Sequence, residues 1–311
     1  MANFDTYFIN AMQTLKIALD WTFNTNHLAF IIAQEQGFYK GEQIEIEFIT
    51  PDQDNYKITP AKKVENGQAH IALCPLESVL SYQTKANPFP LIAIAAVFNK
   101  DLSAIACKKG IAKSPRELDG KSYASYNARY EDAILRQMIK NDGGHGTVRI
   151  IFPDKLGIWD TIVNGTADST WIFTNWEALE AEENGEELEL FKMSEYGIPY
   201  SYSPVVSANQ THVLENKQLY KDFLKATAQG AAFAKAKPEQ SAHILKKYVP
   251  NDCKIDLLKS IKLTNEVVPE SSDWGKMEID NVNRFLNWLY EHGLSTSDIE
   301  TSLLFTNEFL S

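Results

Sequence analysis

The chain has 311 residues, which is enough for one large hydrophobic core or two medium ones, because domains commonly hold ~100–150 residues. Its net charge of −11 and its lack of clustered basic residues argue against a nucleic-acid partner, since phosphate binding needs grouped lysines and arginines. With 44% apolar and 23% charged residues, the composition excludes disordered and fibrous proteins. We therefore expect a globular protein, with two domains as the favoured arrangement.

The cysteines and the N-terminus bear on the cellular compartment. Cys74, Cys107 and Cys253 cannot all be paired, and none has the spacing of a metal site, so neither a disulfide framework nor a structural metal is predicted. The stretch MANFDTYFINAMQTL lacks the basic and apolar regions of a secretory signal. No apolar run reaches the ~20 residues that a membrane span needs. We therefore expect a cytoplasmic protein without a membrane span.

The first half of the chain alternates between strand and helix patterns. Strands are predicted at TLKIALDW, at QIEIEFI (43–49), at AHIALC (69–74) and at PLIAIAAVF (90–98), with helical spacing between them. This alternation predicts βαβ units and a mostly parallel sheet. Pro75, directly after the third strand, suits the first position of a helix.

The stretch LDWTFNTNHLAFIIAQEQGFYKGE (19–42) runs from the end of the first strand into a helix. Asn26 is predicted to cap this helix and Gly37 to end it. The aromatic and polar residues from Trp21 to His27 are then expected on the rim of a cleft.

A second, smaller α/β unit is predicted after the fourth strand. It contains a strand at 121–126, a helix at 128–140, the strand TVRIIFP, a helix at 156–164 and the strand DSTWIF. Thr174 and Glu177, after the last of these strands, are predicted to form a capping box. The last third of the chain shows helical spacing almost to its end, without strands for a third domain.

These two series predict an α/β protein of two lobes. The first lobe would contain residues 1–104 and 204–311, and the second lobe residues 105–203. The chain would cross between them near 99–105 and again near 203–210, which makes a hinged clamshell. Ligands bind outside the carboxyl ends of strands in open α/β sheets, so we expect a ligand site in the cleft between the lobes.

Five loops, at strand ends or beside the second crossing, are rich in aromatic and short polar side chains, as expected of a site for a flat, polar small molecule. The candidate ligand-binding residues are Trp21, Asn26, His27, Cys74, Leu76, Glu77, Ser125, Tyr126, Asn127, Arg129, Trp171, Tyr196 and Tyr200. Structural interpretations remain open beside this one: a core position for Trp21, a helix cap for His27, a solvent-facing position for Arg129 and hinge packing for the tyrosines. The functional interpretation depends on the convergence of the loops on one cleft.

The candidate residues also suggest how a flat ring would bind. Trp21 would form one wall of the cleft and either Trp171 or Tyr126 the other. The residues expected to hydrogen-bond the edge of the ring are Glu77, Ser125 and Asn127.

Catalytic motifs are missing from the sequence. It contains no Gly-rich dinucleotide fingerprint after a strand, no P-loop and no nucleophile elbow. The acidic run EALEAEENGEELEL lacks the spacing of a metal-binding loop and is expected to be a solvated helix end. We therefore predict no catalytic residue, no metal and no cofactor, and we favour a binding protein over an enzyme.

The stretch from Leu19 to Tyr39 combines a strand, a Trp, an Asn-containing loop, a His and the helix pattern A-x-x-x-G-F. It resembles the type II periplasmic-binding-protein-like family, in the branch that holds binding proteins for thiamine-pyrimidine precursors and the fungal thiamine-pyrimidine synthase. The segments ENGQAHIAL, ELDGKSYAS and VNGTADSTWI are similar to further family motifs. The resemblance spans roughly Leu15 to Lys247 and implies two mixed sheets with flanking helices, joined by a hinge of two crossovers.

The resemblance to the synthase fails at its catalytic positions. Where the synthase has the Lys that holds pyridoxal phosphate and the donor His, this chain has Cys74 and Ser78, and GIPYSYSP (197–204) lacks the cysteines of the iron-associated loop. The family therefore implies a small-molecule binding protein without cofactor, whose ligand is a thiamine-pathway pyrimidine or a similar flat heteroaromatic. The alternatives are a synthase-like enzyme and the substrate-binding component of an ABC transporter. Without a signal sequence, the chain also resembles fungal intracellular members of unassigned role, for which a transporter partner is not expected.

Overall fold

The computed structural model describes residues 12–200, 202–295 and 299–310. Within this part of the chain, ten strands form two five-stranded sheets. The strands are β1 (Gln13–Ala18), β2 (Ile44–Ile49), β3 (Ile71–Cys74), β4 (Leu91–Ala96), β5 (Ser103–Lys108), β6 (Ser122–Ala124), β7 (Arg149–Ile151), β8 (Ser169–Phe173), β9 (Leu188–Phe191) and β10 (Val205–Asn209). The predictions made for the first eleven residues, including the absence of a secretory signal, lie outside the described residues.

Helices cover the two sheets and continue through the last third of the chain. They are α1 (Leu28–Glu35), α2 (Phe38–Gly41), α3 (Pro60–Glu65), α4 (Leu76–Thr84), α5 (Glu131–Asn141), α6 (Ile158–Val163), α7 (Glu177–Glu183), α8 (Gln210–Glu215), α9 (Lys217–Ala236), α10 (Pro238–Leu245), α11 (Leu257–Asn265) and α12 (Ile279–Glu291). None of the described helices is both long and apolar enough to cross a membrane.

The first sheet has the order β2-β1-β3-β10-β4, and the second has the order β7-β6-β8-β5-β9. In the first, β1 lies parallel to β2 and β3, as expected of βαβ units, but β10 runs antiparallel to both of its neighbours. The direction of β10 follows from where the chain re-enters the sheet, because Val205 pairs with Cys74 at the carboxyl end of β3. In the second sheet β5 is the antiparallel strand, so both sheets are mixed.

The strands divide the chain into two lobes. Strands from residues 13–96 and 205–209 share the first sheet, and strands from residues 103–191 share the second. The chain thus passes between the sheets after β4 and returns before β10. The lobe boundaries at residues 104 and 204 stay a prediction.

The C-terminal helices pack on the first lobe, and α9 approaches α1 very closely. At Gly230 in α9, an added Cβ would lie 2.0 Å from the carbonyl oxygen of Ala29 and 2.9 Å from the backbone nitrogen of Ala33. Both distances are far below van der Waals contact, so only glycine lets the two helices come this close. This packing fixes α1 and the loop before it, which carries Trp21.

Two predicted helix caps are wrong. Asn24, and not Asn26, caps the short 3₁₀ turn that precedes α1, because its side chain accepts from the backbone N–H of Asn26 over 2.7 Å. The predicted capping box at Thr174 does not form, since its hydroxyl donates to the carbonyl of Leu102 and α7 begins only at Glu177. In both cases an additional turn of the chain precedes the helix, and the spacing of residues in the sequence does not predict that turn.

The predicted position of Pro75 is also wrong by one residue: it is the N-cap before α4, which begins at Leu76, and not the first residue of the helix. The end of α1 at Gly37 is confirmed, since the helix stops at Glu35 and Gly37 has φ of +75°.

Candidate functional site

Loops at the carboxyl ends of β1, β3, β6 and β8 face each other where the lobes meet. Aromatic rings make one of the contacts between them. The Trp21 and Tyr126 rings lie 5.7 Å apart with an interplanar angle of 79°, and Tyr56 lies 5.8 Å from Trp21. The Lys155 ammonium lies 4.9 Å from the centre of the Tyr56 ring. We call Trp21, Tyr56, Tyr126 and Lys155 the aromatic rim; it joins the two lobes, so this is a closed conformation.

The geometry of the aromatic rim bears on the prediction that a flat ligand ring binds between Trp21 and either Trp171 or Tyr126. Trp21 and Tyr126 touch edge to face, so a flat ring fits between them only if they separate. Trp171 lies instead against Tyr200, with ring centres 5.2 Å apart, and Tyr200 also contacts Phe285. The aromatic side chains at the strand ends thus form two groups, one at the rim and one near the second crossing.

The loop after β6 folds around the carboxylate of Glu131, the first residue of α5. This carboxylate accepts from the hydroxyls of Tyr123 and Ser125 and from the backbone N–H groups of Tyr126 and Ala128, over 2.8–3.1 Å. Such converging donors at a helix N-terminus make a general anion site. Here the chain's own carboxylate occupies it, so Ser125 and this helix end are already committed within the protein.

Glu77, in the first turn of α4, is the most unusual group in the cleft. It is 6% exposed, and its Oε2 has no hydrogen-bond partner among the described residues. Burial, with the nearby charges of Glu131 and Asp101, raises its pKa to about 8, while a hydrogen bond from Tyr200 acts in the opposite direction. A buried carboxyl with a shifted pKa and an open hydrogen-bonding position is typical of a functional site.

Other acids surround Glu77. Burial raises the pKa of Asp101, in the first crossing, to about 6, although Ser103 donates to this carboxylate through both its N–H and its hydroxyl. Burial also raises the pKa of Glu131, against its hydrogen bonds. We call Glu77, Asp101 and Glu131 the acidic centre. At the start of α7, burial raises the pKa of Glu177 to about 7.

His27 is fully buried and both of its ring nitrogens are engaged. Nδ1 accepts from the backbone N–H of Asn24 over 3.3 Å, which leaves Nε2 as the donor to Asp20 over 2.7 Å. Asn26 is buried too, and its Oδ1 accepts from the amide of Asn175. His27 and Asn26 therefore support the cleft wall from behind, and His27 orients the carboxylate of Asp20.

Cys74 and Leu76, at the end of β3, connect the sheet to the second crossing. The Cys74 thiol lies 3.2 Å from the hydroxyl of Ser207, and burial raises its pKa to about 12, so it is an inert thiol. The backbone N–H of Leu76 donates to the carbonyl of Tyr202. Both residues hold the start of α4, and with it Glu77, in place.

The remaining candidates lie outside the centre of the cleft. Arg129 is exposed and donates over 2.8 Å to the hydroxyl of Thr84 in the first lobe, so it bridges the lobes. Asn127 is exposed with a left-handed backbone, φ of +61°. The carbonyl of Tyr196 accepts from Asn141 at the far end of α5, roughly 15 Å along the helix from Glu131.

Several residues of the site were not among the candidates, and they are Asp20, Tyr56, Asp101, Glu131, Glu177 and Lys155. Asp20 directly precedes Trp21, and Glu131 directly follows Tyr130 at the predicted helix start, so position alone could have included both. Tyr56 and Lys155 reach the rim from loops without any motif. Among the described residues, no three His, Cys, Asp or Glu side chains are placed to hold one metal ion.

Known proteins resemble this chain over nearly its whole length. The formylaminopyrimidine-binding protein of Halalkalibacterium halodurans is 20% identical, over 91% of this chain and 86% of that protein. The 4-amino-5-hydroxymethyl-2-methylpyrimidine phosphate synthase of Legionella pneumophila is 23% identical, over 96% of this chain and 94% of that protein.

A solved structure gives the fold. The CA3427 gene product of Candida albicans, which exhibits the generic periplasmic binding protein fold, superposes with a TM-score of 0.71 at 14% identity, over 94% of this chain and 96% of that chain. The expected fold, two mixed sheets of the type II periplasmic-binding-protein class, is thereby confirmed. Residues 24–241, more than half of the chain, match the family model described as NMT1/THI5 like. This chain belongs to the NMT1/THI5-like family.

Proposed function

We propose that this protein binds a small, flat, nitrogen-containing heteroaromatic molecule between its lobes, and that the ligand is an aminopyrimidine of the thiamine pathway or a close analogue. The observation that carries the proposal is the unpartnered, buried Oε2 of Glu77. Leaving a buried polar atom unpaired costs about 1–3 kcal/mol. A ligand that pairs with this carboxyl recovers that free energy, which favours binding at this position.

An aminopyrimidine edge matches a carboxyl group. Its ring nitrogen accepts a hydrogen bond, and the amino group beside it donates one. With a pKa of about 8, the Glu77 carboxyl holds its proton at neutral pH, so one oxygen donates to the ring nitrogen while the other accepts from the amino group. Two parallel hydrogen bonds of this kind fix the orientation of the ring as well as its affinity.

Charge and aromatic surface support the same ligand class. The acidic centre disfavours an anionic group beside Glu77, and Glu131 already fills the anion-binding end of α5. Tyr200, which hydrogen-bonds Glu77, and Trp171, which lies against Tyr200, offer faces for a flat ring. The names of the Halalkalibacterium and Legionella relatives refer to pyrimidines, which supports a pyrimidine here.

A synthase-like enzyme is the second candidate, because the Legionella relative is named as one and aligns over nearly the whole chain. Cys74, which the resemblance places at the position of the cofactor Lys, has no amine and is a buried thiol. The two candidates differ in a simple measurement. Purified protein mixed with pyridoxal phosphate and then dialysed would retain a stoichiometric lysine aldimine, seen by its absorbance, if it were such an enzyme, whereas reversible adducts on surface lysines would be lost.

Calorimetry with 4-aminopyrimidine ligands tests the binding proposal. The wild-type protein is expected to bind them, and Glu77→Leu to weaken binding by about tenfold or more, since a hydrogen bond to such a group contributes about 1.5–3 kcal/mol. Glu77→Gln keeps one donor and one acceptor at the same place, so its affinity should stay within about threefold of wild type. Failure of every aminopyrimidine to bind would refute the ligand class, and wild-type affinity in Glu77→Leu would refute this pairing.

The cytoplasmic location and the fungal branch belong to the same proposal. Cys74, Cys107 and Cys253 are free, as is usual in a reducing compartment. A binding protein confined to the cytoplasm could not deliver a ligand to the outer face of a membrane transporter. Fractionation of the source cells tests the location, and recovery of the protein outside the cytoplasm would favour the transport-receptor alternative.

A further inference from the structure

A second cavity lies at the hinge, where both chain crossings meet α12. Its volume is about 200 Å³, enough for roughly six waters at ~30 Å³ each, and hence for a small solute. Its lining residues are Asn99, Lys100, Asp101, Ser194, Ile198, Pro199, Tyr200, Tyr202, Asn281 and Arg284. A wider groove continues from it along α12 and shares Ser194, Ile198, Pro199 and Arg284 with it.

Two cations border this cavity, and neither forms an ion pair with any of the described residues. Lys100, in the first crossing, and Arg284, in α12, are exposed, and neither makes an ion pair or a hydrogen bond within the described residues. The nearby Lys276 shows the usual arrangement, since it pairs with Glu278 over 3.0 Å. The acid of the lining, Asp101, already accepts two hydrogen bonds from Ser103 through Oδ1.

The polar groups around the two cations suit an oxyanion. A guanidinium presents parallel N–H donors that match two oxygens of a phosphate, and an ammonium adds a point charge from the other side. The hydroxyl of Ser194 and the amide of Asn99, also in the lining, make no side-chain hydrogen bond within the described residues and can donate. The cavity thus holds two cations and two neutral donors beside one acid, Asp101, whose Oδ1 is already engaged by Ser103.

We propose that the hinge cavity is a second binding site, which takes a small phosphate-bearing anion between Lys100 and Arg284. The anion is either inorganic phosphate or a phosphate monoester, whose organic part would extend into the groove along α12. This site is separate from the carboxyl of Glu77, where we place the heteroaromatic ligand.

The position of this site couples it to the cleft. Both crossings line the cavity, and the crossings are the segments whose backbone angles change when the lobes of such a fold open. An anion that ties Lys100 of the first crossing to Arg284 of α12 holds them at the separation of the closed form. Asp101 and Tyr200 also lie on the cavity wall and act on Glu77. Anion binding therefore favours closure, and a cleft ligand favours anion binding in return.

Phosphate titration of the full chain, followed by calorimetry, tests the site. Wild type is expected to bind phosphate, and Arg284→Gln and Lys100→Gln to weaken binding by about tenfold each, as expected for the loss of a charge-assisted hydrogen bond. Both residues are exposed, so both variants should fold. Lys276→Gln removes a paired lysine outside the cavity lining and should bind phosphate as wild type does.

Glycerol 3-phosphate in a parallel titration distinguishes the two sources of the anion, because tighter binding than phosphate identifies a monoester and equal or weaker binding identifies free phosphate. Absence of binding by both, or wild-type affinity in Arg284→Gln, would overturn the site. The phosphate titration contains no aminopyrimidine, so its outcome does not depend on the proposed function. The coupling rests on the proposed function: saturating phosphate should tighten aminopyrimidine binding by about fivefold or more in wild type and not in Arg284→Gln. No such effect would overturn the coupling.

Discussion

The side-chain amide of Asn175 donates to Oδ1 of Asn26 over 2.8 Å, and this bond joins the second lobe to the loop before α1. The same amide lies 2.8 Å from the hydroxyl of Thr264 in α11, and its backbone carbonyl accepts from Ser260. Asn175 is fully buried, so water cannot replace these partners while the lobes stay together. The network therefore acts as a latch, and opening the cleft on this side requires its rupture.

We expect Asn175→Ala to lower the free energy of unfolding by about 1–3 kcal/mol, because it leaves buried polar partners unsatisfied. The variant should also populate a more open form, with a larger radius of gyration in solution scattering than wild type. Glu183→Gln, at an exposed position at the end of α7 in the same lobe, should stay within about 0.5 kcal/mol of wild type. An Asn175→Ala protein as stable and as compact as wild type would rule out the latch.

The buried carboxyl of Glu77 predicts how stability depends on pH. Its pKa rises from an ordinary value of 4.5 to about 8 on folding. Between these values the folded state keeps a proton that the unfolded state has lost, so the contribution of Glu77 to stability is fully present below about pH 4.5 and is lost as pH rises to about 8. Glu77→Gln cannot ionise and should flatten this decline in urea unfolding curves. Glu195→Gln, an exposed acid, should leave the wild-type slope, and an unchanged slope in Glu77→Gln would show that Glu77 ionises normally.

The affinity for the ligand should depend on the protonation of Glu77. In the proposed pair, the proton of the carboxyl group is shared with the ring nitrogen of the ligand. Above the pKa of Glu77, about 8, the free protein has lost that proton and binding must take it up. We expect affinity for an aminopyrimidine to fall about tenfold per pH unit there. Glu77→Gln should lose this alkaline decline. A wild-type affinity that is constant up to about pH 10 would contradict the shared proton.

The sequence predicts the two-lobed fold well because the fold depends on periodicity and chain order. Strand and helix patterns are local, and Trp21 and Glu77 follow strands whose carboxyl ends meet in any sheet of this type. The role of Glu131 could not be predicted. Its four donors come together only because the loop turns through a left-handed residue, Asn127, and the sequence does not show where that turn points.

A similar limit applies to the helix caps. Asn24 and Asn26 both have side chains that can cap, and only the 3₁₀ turn from Thr25 to His27 decides between them. Buried partners across the chain, such as Asn175 with Asn26, are separated by 149 residues, and no local pattern encodes such a pair. Sequence reasoning thus finds the strand ends of the site but does not separate ligand-facing groups from those that support them.

Substitution of His27 tests whether a residue at a strand end contacts the ligand or supports the residues that do. Its ring bonds the backbone N–H of Asn24 and the carboxylate of Asp20, so His27→Ala should cost about 2–3 kcal/mol of unfolding free energy by leaving both partners unpaired. We expect ligand affinity to fall by less than about threefold, because the ring is fully buried behind the cleft wall. Affinity that falls as much as in Glu77→Leu, with wild-type stability, would place His27 at the ligand instead.

For Trp21, a ligand-binding role and a core-packing role predict different results: loss of affinity in the first case and loss of stability in the second. Its ring is partly exposed and contacts Tyr126 and Tyr56 at the rim. Aromatic contacts contribute ~0.5–1.5 kcal/mol beyond area burial, so Trp21→Ala should weaken ligand binding by about tenfold or more once lost burial is added. A core Trp behaves differently, because its truncation costs about 3–5 kcal/mol of stability whether or not ligand is present.

Trp274 provides the matched control, since it is 3% exposed in the core of the first lobe and has no contact with the rim among its ring pairs. Trp274→Ala should lower the melting temperature and keep the affinity for aminopyrimidines, whereas Trp21→Ala should lower the affinity with a smaller loss of stability. Thermal melting of wild type and both variants, with and without ligand, separates these effects. If Trp21→Ala loses as much stability as Trp274→Ala and keeps wild-type affinity, then the rim contact holds the lobes together without touching the ligand.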